Sequence, residues 1–254
     1  MDLSDPQQRA VFFEVHSEQP RAGPGDRIST QRAMSLAGPL PANAQILDIA
    51  CGPGMQTLHL AELVPRANIT AFDFHKSMVT EARELVSANG YSDRIQVDVG
   101  DMTKISYPDE KFDLIWCEGA AYIMGIERAL RDWKRLLKPE GRIALTEAIW
   151  LKPDPPQELR DFWTEYPDMS DLENRLAIFE GCGYRMRGDF VLPESSWWDD
   201  YYNPMTERLD SLSEKYRGDT VAESVLSACY LEIDLYRRYP DYYGYVFLVA
   251  EKVA

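Results

Sequence analysis

The sequence predicts an α/β domain built on a parallel sheet with helices on both faces, and three observations carry that expectation. From Gln45 onward, short apolar runs alternate with amphipathic ones. Parallel strands joined by crossover helices produce this rhythm, because each crossover must lie on a face of the sheet. One apolar run, Ile46-Leu47-Asp48-Ile49, leads into a turn of small residues, Ala50-Cys51-Gly52-Pro53-Gly54, and then directly into a helical pattern. The chain has 254 residues, 45% hydrophobic and 27% charged, which is the size and composition of one globular unit with a substantial core.

In chain order, Asp5 to His16 carries Val11, Phe12 and Val15 at helical spacing, with Ser4 or Asp5 as N-cap and Pro6 in the first turn. A Pro/Gly loop occupies 19–26, and Asp26 caps a second helix to about Leu36. Strands are expected at about 45–50, 69–73, 94–98, 112–117 and 142–147, with helices at about 56–64, 76–89 and 126–136 between them. Pro153, Pro155 and Pro156 then break the chain. Helices follow over 157–165 and 171–180, then a strand over 185–192, a long helical insertion over 204–238 and a final strand over 243–252. With no internal repeat, low-complexity tract or linker, residues 1–254 read as a single domain.

The formal net charge of −15 disfavours nucleic acid and anionic membrane surfaces, whose phosphates such a surface repels on average. No run of 18 apolar residues is present to span a bilayer. The start, Met1-Asp2-Leu3-Ser4-Asp5-Pro6, has neither the basic nor the apolar part of a signal peptide. Cys51, Cys117, Cys182 and Cys229 are scattered and read as reduced core thiols in a cytoplasmic protein, and no histidine stands at metal-ligand spacing, so no metal is expected. The expected partner is a small molecule, with the chain acting as monomer or homodimer.

The turn after the first strand is the most informative stretch. Small residues at 50, 52 and 54 let backbone N–H groups and the following helix N-terminus approach a ligand closely. The next strand, Ile69-Thr70-Ala71-Phe72-Asp73, ends in an acid 19 positions after Gly54, where it can accept ribose hydroxyls. These two features alone fit a nicotinamide dinucleotide as well as other nucleosides. Thr57, however, stands where a dinucleotide fingerprint wants Gly or Ala, and Asp48 lies where a pyrophosphate site has no use for a carboxylate but a cationic amino-acid group does. After the third strand, Gly100-Asp101-Met102 offers a carboxylate to an adenine amino group and a Met to pack on its ring.

Asp48-x-Ala50-x-Gly52-x-Gly54, Asp73, Gly100-Asp101, Asp113-Leu114-Ile115-Trp116 and Leu136-Leu137-Lys138-Pro139-Glu140-Gly141-Arg142 resemble, in order and spacing, the successive motifs of class I S-adenosylmethionine (AdoMet)-dependent methyltransferases. The resemblance spans about 45–147, and the family usually has Gly where Ala50 stands. It implies a Rossmann-like seven-stranded, mostly parallel sheet with an antiparallel last strand preceded by a helical insertion. It also implies an N-terminal helical lid over 1–40, an AdoMet-binding core over 41–150 and substrate-side segments with the last strands over 151–254. AdoMet is then the cofactor and S-adenosyl-L-homocysteine the product. Gly52 and Gly54 face the methionine part, Asp73 the ribose and Asp101 the adenine, while Asp48, Ala50, Gln56, Thr57, Phe74, Met102, Cys117 and Glu118 complete the expected cofactor set. Glu118-Gly119-Ala120-x-Tyr122 and Glu147-x-x-Trp150 are similar to a small-molecule group within the family.

Methyl transfer from a sulfonium is an in-line displacement that draws much of its rate from proximity and alignment, up to about 7–11 kcal/mol, so no dedicated catalytic side chain is obligatory. An acceptor that must lose a proton would be served by Glu118, Glu147 or His16. Each has a plain structural alternative: strand-end cap, backbone acceptor or helix end. The aromatics outside the regular units, among them Trp150, Trp163, Tyr166, Trp197, Trp198, Tyr201 and Tyr202, divide between core packing of the insertion and an acceptor pocket. Tyr122, Trp150, Trp197 and Tyr201 are the expected substrate contacts, and 10–30, with Trp150 and 197–202, the expected cover over the cofactor. The rival functions are an NAD(P)-dependent oxidoreductase and a non-catalytic AdoMet-binding regulatory protein.

Overall fold

In the computed structural model, which describes residues 4–166 and 169–253, strands and helices alternate as the periodicity requires. Helix α1 (Pro6–His16) starts under Asp5, whose carboxylate accepts from the N–H groups of Gln7 and Gln8, and α2 (Arg27–Ala37) starts under Asp26, which accepts from Ser29. Each acid satisfies donors that a helix's first turn leaves unpaired. Strands β1 (Gln45–Ile49), β2 (Asn68–Asp73), β3 (Ile95–Val99), β4 (Phe112–Glu118) and β5 (Leu137–Trp150) are interleaved with α3 (Met55–Leu63), α4 (Lys76–Ala88) and α5 (Ile126–Lys134). Then come α6 (Gln157–Phe162), α7 (Leu172–Gly181), β6 (Tyr184–Val191), the short α8 (Ser195–Trp197), α9 (Asn203–Lys215), α10 (Thr220–Arg238) and β7 (Tyr243–Lys252).

The seven strands form one sheet in the order β3-β2-β1-β4-β5-β7-β6. Neighbours among β1 to β5 are parallel, and β7 runs antiparallel to both β5 and β6. The Rossmann-like sheet with an antiparallel last strand is therefore present. Two elements differ from expectation. The helical insertion is two helices rather than one, because Gly218, at φ 88°, turns the chain and Asp219 caps a new start at α10. The fifth strand is longer than expected at both ends: it pairs with β4 from Leu137 through a register shift, and with β7 out to Trp150.

The two-residue period of a strand sorts side chains onto opposite faces. In β4, Leu114 and Trp116 pack with Ile46, Leu60 and Phe247 under α3, whereas Ile115 and Cys117 pack with Leu47, Trp133 and Phe179 under α5 and α7. A further cluster joins α1 to the insertion through Val11, Val15, Trp197, Tyr202, Leu209, Val225 and Tyr236. Trp197, 1% exposed, stacks on Tyr236 at 4.2 Å and meets Tyr245 edge-on at 5.1 Å. It is an anchor of the insertion, not a surface that meets a ligand. Trp197→Ala should cost about 3–5 kcal/mol of stability, read as a lower urea midpoint. A variant of unchanged stability would return Trp197 to the list of ligand contacts.

Candidate active site

At the C-terminal ends of the parallel strands the connecting turns surround a cavity of about 780 Å³. Open α/β sheets bind ligands at this edge because the helices begin here, with unpaired N–H groups pointing outward. Ala50, Gly52 and Gln56 line it from β1, Asp73 and Phe74 from β2, Asp101 and Met102 from β3, and Glu118 and Tyr122 from β4. The turns are tied to one another. Asp73 accepts from the N–H of Gly52 at 3.0 Å and from that of His75 at 2.9 Å. Gly100 N–H donates to the Asp73 carbonyl at 2.9 Å, and Gln56 donates to the Cys51 carbonyl at 2.8 Å. Ala50 takes φ 57°, a left-handed conformation that glycine adopts without a Cβ penalty. Asp101 caps its own turn through Thr103, whose hydroxyl and N–H hold the carboxyl below its usual range.

The N-terminal segment closes one side. Arg9, Phe12, Phe13, His16 and Arg21 to Pro24 all line the cavity. Arg21 Nη1 lies 2.8 Å from Glu118 Oε2, and Arg21 Nη2 lies 3.2 Å from His59 Nδ1, all in the interior. Trp116 Nε1 donates to the other oxygen, Glu118 Oε1, at 2.7 Å. A Cβ on Gly25 would fall 2.5 Å from Arg21 Nη1 and 2.6 Å from Glu118 Oε2, so a larger residue there would push the ion pair aside. His16 Nδ1 sits 2.8 Å from the Phe12 carbonyl. A carbonyl only accepts, so Nδ1 carries the hydrogen and Nε2 is the acceptor. Burial lowers the pKa of His16, which keeps the ring neutral.

Several expected contacts lie elsewhere. Asp48 and Thr57 are fully buried behind the wall and hydrogen-bonded to each other. Gly54 serves packing, since its Cβ would meet that of Ala82 in α4 at 2.9 Å. Cys117 points to the opposite face of the sheet from Glu118 and lies in the core. Trp150, Trp197 and Tyr201 belong to the insertion cluster and not to the cavity wall. The stretch 197–202 accordingly does not line the cavity; beside it, the Ser196 carbonyl accepts from Gly25 N–H at 2.9 Å, at the end of the N-terminal segment whose residues Arg9 to Pro24 contribute to the lining. Glu147, fully buried, accepts from Tyr166 at 2.9 Å behind the cavity.

Behind Tyr122 and Gly119 is a group of residues that sequence reasoning missed in part. The Tyr122 ring is 4.4 Å from that of Tyr166, and a Cβ on Gly119 would meet the Tyr245 ring at 2.9 Å. Tyr201 and Tyr202 donate to Glu232 Oε1 at 3.2 and 3.1 Å. Arg21 was visible only as a cation in a Pro/Gly loop, and Glu232 reads in sequence like any helix-surface acid.

A family model described as "Methyltransferase domain" matches residues 46–141. Methyltransferase GfsG of Streptomyces halstedii is 28% identical over 151 residues, covering 56% of this chain and 53% of that protein. A ubiquinone/menaquinone biosynthesis C-methyltransferase UbiE of Geotalea daltonii is 34% identical over 107 residues, 41% of this chain and 46% of its own. The chain thus spans about half the length of these curated relatives. The SAM-dependent methyltransferase of Geobacter sulfurreducens, solved with S-adenosyl-L-homocysteine, superposes with TM-score 0.81 at 21% identity over 95% of this chain and 97% of that one. The cyclase SpnF superposes with TM-score 0.71 at 22% identity over 94% and 86%.

Burial pushes the Asp48 carboxyl up to about 8; Thr57's hydrogen bond and Arg21 pull it down, while Glu118 and Asp73 raise it further. Between an unfolded carboxyl's pKa of about 3.9 and this value, the folded chain binds more protons than the unfolded one, so Asp48 makes stability fall as pH rises through that window. Asp48→Asn keeps an acceptor for Thr57 and removes the titration. Its stability relative to the parent should therefore rise between pH 5 and pH 8, by at most about 1.4 kcal/mol per pH unit. Denaturant melts across that range check this, and parallel pH profiles would show that Asp48 is ionised throughout.

Proposed function

Because the chain belongs, through residues 46–141, to the class I AdoMet-dependent methyltransferases, we propose that it is an enzyme that transfers the methyl group of AdoMet to a small molecule. The observation that carries this reading is the rim held by Asp73, at the strand ends and beside a cavity of ordinary cofactor size. The donor set fits the group. Both Asp73 oxygens keep a lone pair after their backbone bonds, enough for two ribose hydroxyls. Asp48 Oδ1 is buried without a hydrogen-bond partner, and on the wall the acids Asp73, Asp101 and Glu118 face the arginines Arg9 and Arg21, with Arg21 paired to Glu118. That balance suits a cofactor that carries ammonium and sulfonium charge better than it suits a pyrophosphate. The oxidoreductase alternative therefore gains no support, and Thr57, bonded to Asp48, fills the position where a dinucleotide fold needs a small residue.

AdoMet, when bound, supplies an electrophilic methyl group on a sulfonium. The chain's residues hold and enclose it. Asp73 and Asp101 would hold the nucleoside, and Phe74 and Met102, which line the same cavity, would offer its base an apolar contact. Residues 9–24 form the lid, latched by the Arg21–Glu118 pair, and exclude water from the reacting atoms. His16, neutral with Nε2 free to accept, is the wall residue suited to take an acceptor's proton. Among the described residues no helix is long and apolar enough to cross a membrane. Four buried, unpaired cysteines favour a reducing compartment, and we place the protein in the cytoplasm.

Calorimetry should detect AdoMet and S-adenosyl-L-homocysteine but not NAD. Asp73→Ala should weaken both by about tenfold or more, since hydrogen bonds to a charged acceptor contribute about 1.5–3 kcal/mol. Binding of NAD alone would end the methyltransferase reading, and an unchanged dissociation constant in the variant would make Asp73 a purely structural tie.

A further inference from the structure

The strand order gives the cavity a direction. Asp101 follows β3 and Asp73 ends β2, at the end assigned above to the nucleoside, while Glu118 to Tyr122 stand at and after the end of β4, on the far side of β1. Adjacent strands lie about 4.8 Å apart, so the turn after β4 is roughly 10 Å from Asp73. Helix α1 runs along the same axis. The Phe13 ring lies against His75, just after β2, with centres 3.4 Å apart, and Arg9, one turn earlier, stays at that end. His16, one turn later, is 4.2 Å from Phe12 and 6.2 Å from Tyr201. Tyr201 belongs to the insertion cluster that meets β7, which lies beyond β4 and β5 in the sheet. Phe12 and His16 therefore share the β4 half of the cavity with Gly119, Ala120, Tyr122 and Ile123.

That half has no charge to spare. Glu118 is matched by Arg21, which holds Oε2 at 2.8 Å, and Trp116 donates to Oε1 at 2.7 Å. Burial keeps His16 neutral. A charged acceptor would surrender its hydration here without meeting a counter-charge. Two polar atoms are left over. His16 and Tyr122 line the cavity, and among the described residues neither Nε2 of the first nor the hydroxyl of the second has a hydrogen-bond partner. Because Nδ1 carries the hydrogen, Nε2 can only accept, whereas a tyrosine hydroxyl donates or accepts. The remaining surface is apolar, made by the Phe12 ring, Ala120 and Ile123, which is 63% exposed.

We propose that this half is the acceptor subsite and that it takes an uncharged phenol, its ring against Phe12 and Tyr122 and its hydroxyl donating to His16 Nε2. The proposal rests on the methyltransferase reading. An aliphatic amine arrives as an ammonium, which has no lone pair for the methyl group and finds no free carboxylate; a carboxylate or phosphate finds no free cation. Among hydroxyls, an imidazole is matched far better to a phenol, with its pKa of about 10, than to an aliphatic alcohol. In the transfer, the phenol proton passes to His16 Nε2. A lone pair on the oxygen bonds the methyl carbon as its bond to sulfur breaks, and that electron pair stays on sulfur. The products are an aryl methyl ether, a neutral thioether and an imidazolium carrying the charge the sulfonium held, so charge balances.

The probes 2-naphthol, 2-naphthoate and 2-naphthylmethylamine share a ring system and differ in charge at neutral pH. Titrated into the protein with S-adenosyl-L-homocysteine present, 2-naphthol should bind about tenfold or more tightly than either ion. His16→Phe keeps a ring against Phe12 and should weaken 2-naphthol about three- to tenfold while leaving the affinity for S-adenosyl-L-homocysteine unchanged. Incubated with AdoMet, the parent protein should convert 2-naphthol to 2-methoxynaphthalene, read by mass spectrometry. The proposal is overturned if 2-naphthol fails to bind or to be methylated, if the three probes bind equally, if an ion binds more tightly, or if His16→Phe leaves the 2-naphthol affinity unchanged. Should the variant not fold, the ranking in the parent protein still decides. S-adenosyl-L-homocysteine titrated alone tests the methyltransferase reading separately: its failure to bind would end that reading and leave a preference for 2-naphthol over both ions standing.

Discussion

The carboxylate of Asp73 holds the working edge of this protein together. At the end of β2 it receives the N–H of the turn after β1 and that of the turn before α4, while its own carbonyl receives the N–H of Gly100 after β3. Three loops that would otherwise fluctuate independently are tied to one residue at the end of β2. Loop ends fixed in this way lose little further entropy when a ligand arrives, which favours affinity by preorganisation. The shape of the cavity follows from that residue before any other wall is considered.

The second constraint is the ion pair between Arg21 and Glu118, whose side chains are 3% and 6% exposed. Taking both charges out of water is expensive, and a buried pair of this kind is poor evidence for stability by itself. Here it ties the N-terminal segment to the end of β4, and both residues line the cavity. Trp116 donates to the other oxygen of Glu118 and His59 meets Arg21 Nη2, so the pair is embedded in a network, although Arg21 Nε has no hydrogen-bond partner. The N-terminal segment beside the cavity is thus held by electrostatics at one point and by apolar packing of α1 on α10 at another.

The strands and the glycine turn after β1 were legible in the sequence because each depends on a short-range pattern. Alternation along Ile46–Ile49 and the acid closing Ile69–Asp73 are local signals, and glycine turns punctuate them. The face a residue occupies follows from the same period, which explains why Glu118 reaches the cavity and Cys117 beside it does not. What could not be read was the division of the aromatics. Trp197, Tyr201 and Tyr202 pack the insertion, while Tyr122 lines the cavity and Tyr245 lies directly behind it, and composition makes no distinction among them. That division depends on contacts between α1, α10 and β7, segments far apart in the chain. Glu232 was invisible for the same reason: only tertiary packing turns a helical acid inward.

The placement of β7 has a consequence for synthesis. The strand follows β5 and β6 in the chain yet fills the gap between them, and among the described residues β6 pairs with no other strand. While residues 243–252 are still inside the ribosome, β5 therefore presents an open edge, and β6 has been released with nothing to bond to. Unpaired edges of this kind recruit other chains. The emerging polypeptide must be shielded through that interval, and slowing translation just before Tyr243 would lengthen its exposure to aggregation more than a pause anywhere among the earlier strands.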